Sequence, residues 1–196
     1  MTKLRALNKW TLSHFQKTVD TCSPEIRLKN IVSVRRGIAT GANDYFIIDV
    51  ETVAKYKIPR LFLKPILPSP RHVHTTVIES SSDGSPRVEG FRYLLDCTAS
   101  PEEVKQKYPG LWSYFEEGVA QGLPERHLCS QREVWYFQEK RNPAPFLASY
   151  MGRSKDPDSC PIRFFVNFSS AIVTNVFLNL YPTSELDEIL AGDPLA

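Results

Sequence analysis

Residues 30–49 constrain the chain more than any other stretch: Asn-Ile-Val-Ser-Val-Arg-Arg-Gly-Ile-Ala-Thr-Gly-Ala-Asn-Asp-Tyr-Phe-Ile-Ile-Asp. Two apolar, β-prone runs, 31–34 and 45–48, flank a turn rich in Gly, Thr and Asn. That is the pattern of two strands with a connecting loop. Gly37 and Gly41 can take φ > 0, so the loop can fold back tightly. Successive backbone N–H groups in such a loop can form an anion-binding concavity, and Arg35 and Arg36 set fixed positive charge at its entrance. Because side chains alternate along a strand, only one of the two arginines can face the loop opening. The loop is not a P-loop, since no Lys-Ser/Thr follows the second glycine. Nor is it a dinucleotide fingerprint, since the spacing is Gly-x-x-x-Gly and no helix pattern follows. Two readings stay open: a surface hairpin whose arginines serve solubility, or a loop that holds a polyanion.

The net charge of +2 does not announce a nucleic-acid partner, but its distribution is uneven. Residues 31–72 hold seven basic side chains against three acidic, whereas 96–118 hold two against five and 182–196 hold four acids and no base. A basic segment in an otherwise neutral or acidic chain is what a polyanion-binding face requires. With 42% hydrophobic residues the chain can bury a core. Cys22, Cys97, Cys129 and Cys160 are scattered without a Cys-x-x-Cys pair, which argues against a zinc ribbon. No signal peptide is visible and no apolar run approaches the ~18–20 residues of a membrane span. The expected location is a reducing cytoplasm.

Along the chain, residues 1–23 read as a linker or the tail of a preceding domain, and Pro24 as the boundary. A short helix is predicted after Asp49, its N-cap. Residues 57–69 carry three prolines and must be extended or turned. His72 and His74 would share one side of a strand, a possible metal geometry without an evident third ligand. Residues 91–95 read as a buried strand. Ser100-Pro-Glu-Glu starts a helix, with Ser as cap, Pro at the first position and acids at the positive end of the dipole. A second helix begins at Pro109 and ends near Gly122, its aromatics belonging to the core. In 131–153, Trp135 and Tyr136 lie among Arg132, Lys140, Arg141 and Arg153, a composition that can stack on bases and read their edges. Strands follow at 163–168 and 176–181, separated by a turn at 169–174, irregular or helical. A short amphipathic helix closes the chain between Ser184 and Gly192. The fold class expected is a single α+β domain, a bent, mainly antiparallel sheet with a few helices on one side.

The run Arg35-Arg36-Gly37-Ile38-Ala39-Thr40-Gly41-Ala42-Asn43-Asp44-Tyr45-Phe46 resembles the opening motif of the C-terminal target-recognition domain of type II N6-adenine DNA methyltransferases, the group with a Taq-like specificity domain. Further pieces match in the same order: Leu63-Lys64-Pro65-Ile66-Leu67, Arg92-Tyr93-Leu94-Leu95, Tyr108-Pro109-Gly110-Leu111-Trp112 and Trp135-Tyr136. Pro143-Ala144-Pro145-Phe146, Tyr150-Met151-Gly152-Arg153 and Asn175-Val176-Phe177-Leu178 complete the set. The resemblance covers residues 24–182; in the family the chain continues beyond a helix such as that at 183–196, so the C-terminal helix is expected to be truncated. It implies a module that recognises double-stranded DNA. Arg35, Arg36, Thr40, the Gly41 backbone, Asn43 and Lys64 would contact phosphates, and some of Arg132, Trp135, Tyr136, Arg141 and Arg153 would read bases. It also implies a methyltransferase catalytic domain, upstream or supplied in trans, that holds S-adenosylmethionine.

The family's (Asn/Asp)-Pro-Pro-(Tyr/Phe) loop and glycine-rich S-adenosylmethionine loop are absent from this sequence; Asp156-Pro157-Asp158 lacks the second proline and the aromatic. Two other readings stand beside DNA recognition: a Mg²⁺-dependent nuclease or hydrolase using Glu133, Glu139 and Lys140, and a non-binding remnant of a split methyltransferase. Methylation of adenine N6 needs a flipped base, an acceptor for its amino hydrogens and a bound methyl donor, all aligned. The purified 196-residue chain, incubated with DNA and labelled S-adenosylmethionine, is therefore expected to incorporate no label until a catalytic domain is added. Incorporation that a mutation within this chain abolishes would overturn that expectation.

Overall fold

A computed structural model describes residues 27–151 and 161–190. The proposed linker 1–23, Arg153, Cys22, Cys160 and Asp156 lie outside the described residues.

The two β-prone runs around the glycine turn do not form a hairpin. The first lies in strand β1 (Val32–Arg36), entered through one helical turn, α1 (Leu28–Ile31). The second is a turn of helix, α2 (Asn43–Phe46), followed by a two-residue strand, β2 (Ile47–Ile48). Further on come α3 (Val50–Lys55), β3 (Leu63–Leu67), β4 (Val77–Ile78), β5 (Arg92–Leu95), α4 (Pro101–Lys107), α5 (Pro109–Ala120) and α6 (His127–Ser130). The chain ends in β6 (Phe146–Ser149), β7 (Phe164–Asn167), β8 (Ile172–Val173), β9 (Phe177–Pro182) and α7 (Ser184–Leu190). Five strands form one sheet in the order β1-β9-β6-β7-β4, and four form another in the order β2-β5-β3-β8. All pairs are antiparallel except β3 with β8 and β4 with β7. The expected α+β class and mainly antiparallel pairing hold, with the sheet realised as two.

The glycine turn is the crossing between those sheets. Its first residues are stitched to the segment that links β8 and β9. Gly37 N–H donates to the Phe177 carbonyl (3.1 Å), Ile38 N–H to the Val173 carbonyl (2.8 Å) and Asn175 N–H to the Ile38 carbonyl (2.9 Å). Such close backbone approach leaves no room for a side chain: a Cβ on Gly37 would overlap the Thr174 carbonyl oxygen. Gly41 supplies the positive φ of +81° that turns the chain towards α2.

Caps act where the sequence places them. Asp49 Oδ1 accepts the Thr52 N–H at 2.9 Å and the Thr52 hydroxyl at 2.8 Å, and those bonds, the backbone one first, hold its carboxyl below the usual range. Ser100 Oγ accepts the Glu103 N–H at 3.2 Å, with Pro101 opening α4. Helix α5 buries Leu111, Tyr114 and Phe115. Tyr114 and Tyr45 stack at 4.5 Å, and each hydroxyl donates to the other's carbonyl, at 2.6 and 2.7 Å. Burial raises both phenols above their ordinary values.

Two expectations change. Residues 169–174 contain β8, a buried strand at the edge of the second sheet, rather than only a turn. His72 ends a 3-10 turn (Pro70–His72), so His72 and His74 do not share the side of a strand. Among the described residues no group of three His, Cys, Asp or Glu side chains could hold a metal, and no helix is long and apolar enough to cross a membrane. Cys97 and Cys129 are buried free thiols, and desolvation pushes Cys97 up to about 11.

The larger core lies under the four-stranded sheet and α5, around Phe46, Leu94, Leu111, Phe115 and Tyr136. A second core, with Leu147, Phe165 and Phe177, fills the inner face of the five-stranded sheet. Each such side chain contributes about 1.5–3 kcal/mol. Gly37→Ala forces either the crossing or the residue 173–177 segment to move. We expect a loss of ~1–3 kcal/mol, as for other overpacked sites, read as a lower urea midpoint with an unchanged m-value. An unaltered midpoint would mean that the crossing is loose.

Candidate nucleic-acid interface

The two stretches singled out in the sequence meet through Arg132. Its Nη2 donates to the Thr40 carbonyl (2.7 Å) and the Ala39 carbonyl (3.4 Å), and its Nη1 to the Trp135 carbonyl (3.3 Å). The guanidinium also lies 5.6 Å from the Phe46 ring centre. Desolvation lowers its pKa, yet arginine keeps its charge. Thr40 is fully buried; its hydroxyl donates to Asn43 Oδ1 (2.6 Å) and accepts the Ala42 N–H (3.1 Å). Arg132 and Thr40 therefore hold the turn together, with most of their donors spent inside the protein. Since the N–H groups of Gly37, Ile38 and Ala42 also donate within the protein, the anion-binding concavity imagined there is largely filled by internal partners. Gly41 and Asn43 remain exposed.

Of the expected base readers, Tyr136 is a core residue and Trp135 is half-buried against the same core. Tyr136 is 2% exposed, stacks on Phe115 at 4.0 Å and donates its hydroxyl to the Ala99 carbonyl (2.8 Å). Trp135 packs against Tyr45, Phe46 and Phe115. Tyr136 offers no face for stacking on a base, and Trp135 spends much of its ring on these contacts. Lys64 pairs with Asp96 at 2.5 Å, so its charge is neutralised at short range and is a poor phosphate anchor.

Alternation along β1 sends its two arginines to opposite faces of the sheet, as the strand geometry requires. Arg35, with Ser33, lines a cleft of about 520 Å³ completed by Lys140, Arg141, Asn142 and Tyr181. The side chains of Arg35 and Lys140 make no hydrogen bond or ion pair to another described residue. Arg141 is paired to Glu139 at 2.5 Å, and its Nε is buried without a partner. Asn179 pairs with Arg35 in register and is 1% exposed; neither atom of its amide has a partner. Arg141 and Arg35 both favour the ionised form of Tyr181, although burial outweighs them and raises its pKa. The cleft thus gathers three cations against one paired carboxylate, with unspent donors close by. Arg36 takes the other face. Its guanidinium lies 4.5 Å over the Tyr150 ring, and Nη2 approaches the Asn175 carbonyl at 3.5 Å. Sequence reasoning missed Ser33, Asn142 and Tyr181, and it gave Lys140 a role only in the nuclease reading. Ser33 was legible, because it shares a strand face with Arg35; Asn142 and Tyr181 were not, because their positions depend on how β9 and residues 140–142 fold against β1.

Residues 6–191 match the family described as the C-terminal domain of the type II methyltransferase M.Eco57I. The chain belongs to this family. It is 27% identical over 153 residues to the type II methyltransferase M.AccI of Acinetobacter calcoaceticus, covering 74% of this chain and 26% of that protein. To the type II methyltransferase M.XamI of Xanthomonas campestris pv. amaranthicola it is 22% identical over 189 residues, covering 94% and 32%. The chain thus spans between a quarter and a third of the length of these relatives. Among solved structures it is similar to the type IIL restriction-modification enzyme MmeI in complex with DNA, with a TM-score of 0.49 and 13% identity over 85% of this chain and 21% of that one.

Replacing Arg132 removes a charged donor from three carbonyls at once. Arg132→Ala is expected to destabilise the fold by ~1.5–3 kcal/mol, the range for hydrogen bonds to charged groups, with Arg132→Lys intermediate because lysine lacks the planar fork. Chemical denaturation of the three proteins checks this. Equal stability would return Arg132 to the list of ligand-binding residues.

Proposed function

We propose that the chain is the DNA target-recognition part of a site-specific adenine-N6 DNA methyltransferase of a restriction–modification system. Family membership supports the methyltransferase setting. The observation that carries DNA binding is the cleft where Arg35, Lys140 and Arg141 converge in a chain whose net charge is only +2. Duplex DNA carries a phosphate charge about every 1.7 Å of axis, and cations gathered in a concave site suit it. Adenine N6 as the target rests on the resemblance of residues 35–46 to the recognition motif of that group.

Within this reading the roles divide by what each side chain has left to give. The side chains of Arg35 and Lys140 have no partner among the described residues and take phosphates, as do the exposed Arg36, Gly41 and Asn43. Arg141 has its guanidinium oriented by Glu139, and a pre-set planar fork suits bidentate contact with guanine O6 and N7. Arg153 remains assigned to base reading from the sequence. S-adenosylmethionine and the methyl-transfer chemistry belong to a catalytic domain joined upstream or supplied in trans, in the cytoplasm. The nuclease reading finds less support: Glu139 is engaged by Arg141, and Glu133, Glu139 and Lys140 do not join any metal-holding group among the described residues.

Binding should be weak and strongly salt-dependent. We expect a dissociation constant of ~10⁻⁴ to 10⁻⁶ M for unrelated duplex, with log affinity falling by about 0.9 per phosphate neutralised against log salt. Arg35→Ala and Lys140→Ala should each flatten that slope by about one phosphate for every sequence. Arg141→Ala should narrow the gap between preferred and unrelated DNA by ~1–3 kcal/mol. A salt titration followed by fluorescence anisotropy measures all four proteins. Binding that is absent at low salt, or indifferent to salt, would refute the proposal.

A further inference from the structure

At the Arg36 end of the five-stranded sheet, apolar side chains stand out of the protein among arginines. Met151 is 82% exposed, Tyr150 44% and Val176 43%. With Pro68, Pro70 and Arg71 they line a cleft of about 450 Å³. The surroundings are cationic and fixed. Arg36 covers the Tyr150 ring at 4.5 Å. Arg163 donates to the carbonyls of Pro70 (2.9 Å) and Val73 (2.5 Å), which holds the opposite wall. Arg71 is exposed on that wall. A methionine displayed in this way forgoes the stabilisation of burial, and its flexible, polarizable thioether fits irregular apolar gaps. Apolar side chains ringed by arginines match one polyanion in particular: duplex DNA offers phosphates for the arginines and an apolar base stack for the protruding side chain. Proteins that use such a wedge partly unstack a base step and bend the duplex around it.

We infer that Met151 is the tip, and Tyr150 the backing, of a wedge that enters duplex DNA between base pairs, with Arg36 and Arg71 on the flanking phosphates. This rests on the DNA-binding reading above and adds a second contact: β1 serves the basic cleft through Arg35 on one face and the wedge through Arg36 on the other. The wedge deforms DNA and reads no base edge, so its contribution to selectivity comes from how easily a step opens.

The test uses the full chain and two duplexes of one sequence, intact and with a single abasic site, where unstacking is already done. Unstacking costs a few kcal/mol, so the unmodified protein should bind the abasic duplex at least about tenfold more tightly. Met151→Ser should reduce that ratio to near one while leaving affinity for the intact duplex within about threefold and the salt slope unchanged. Tyr150→Ala should reduce it less, and thermal melts establish that both variants are folded. A 2-aminopurine beside the contacted step should brighten with the unmodified protein and stay dark with Met151→Ser. Equal binding of both duplexes by the unmodified protein, or a ratio that survives Met151→Ser, overturns the wedge and leaves DNA recognition intact. Failure to bind either duplex at low salt overturns DNA recognition itself, and the wedge with it.

Discussion

The grip of Arg132 on the carbonyls of Ala39 and Thr40 is the contact on which the rest of this structure depends. A chain that passes from one sheet to another lies in the ladder of neither, so its backbone groups need other partners. Buried carbonyls without them cost about 1–3 kcal/mol each. Here the N–H groups of the crossing find carbonyls at 173 and 177, while its own carbonyls find the guanidinium. One residue from beyond α6 thereby ties the first strand of one sheet to the first strand of the other. The packing of Trp135 and Tyr136 against α5 follows from the same placement, since residues 132–136 must lie over the crossing for Arg132 to reach it.

Local signals were legible in the sequence wherever a few neighbouring residues decide the outcome. Asp49 and Ser100 cap the helices they precede, and the strands at 92–95, 164–167 and 177–182 sit where β-prone runs put them. The hairpin expected at 31–48 failed for a non-local reason. Gly37 is required by the Thr174 carbonyl that presses on it, far along the chain, and no local pattern distinguishes that glycine from a hairpin glycine. Trp135 and Tyr136 misled in the same way. An aromatic pair beside arginines has the composition of a stacking platform, and only the position of α5 turns it inwards.

Arginine illustrates how little composition says about role. Arg132 has its donors on carbonyls and is architecture; Arg163 likewise fixes the 70–73 turn. Arg60 and Arg92 answer Asp83 and Asp49. What remains with donors to spare is a smaller set, of which Arg35 is the clearest member. A basic segment of sequence therefore overstates the charge available to a ligand, and the count that matters is of cations left over after the fold has taken its share. Lys64 drops out on that count, and Lys140 enters it.

That residual charge is concentrated by geometry rather than by amount. Successive positions of one strand, Arg35 and Arg36, face opposite sides of a sheet, so the same short strand supplies a polar cleft and an apolar-tipped surface. Between them runs Asn179, buried with an unpartnered amide next to Arg35. An orphan amide in a sheet interior costs stability, as does the unpartnered Nε of Arg141. The near-neutral chain can thus carry a strong local field without the self-repulsion of a uniformly basic protein. On the proposed reading, β1 then offers cations to a duplex from both of its faces, Arg35 in the polar cleft and Arg36 beside the apolar tip, while the acidic stretches 96–118 and 182–196 add no net positive charge of their own.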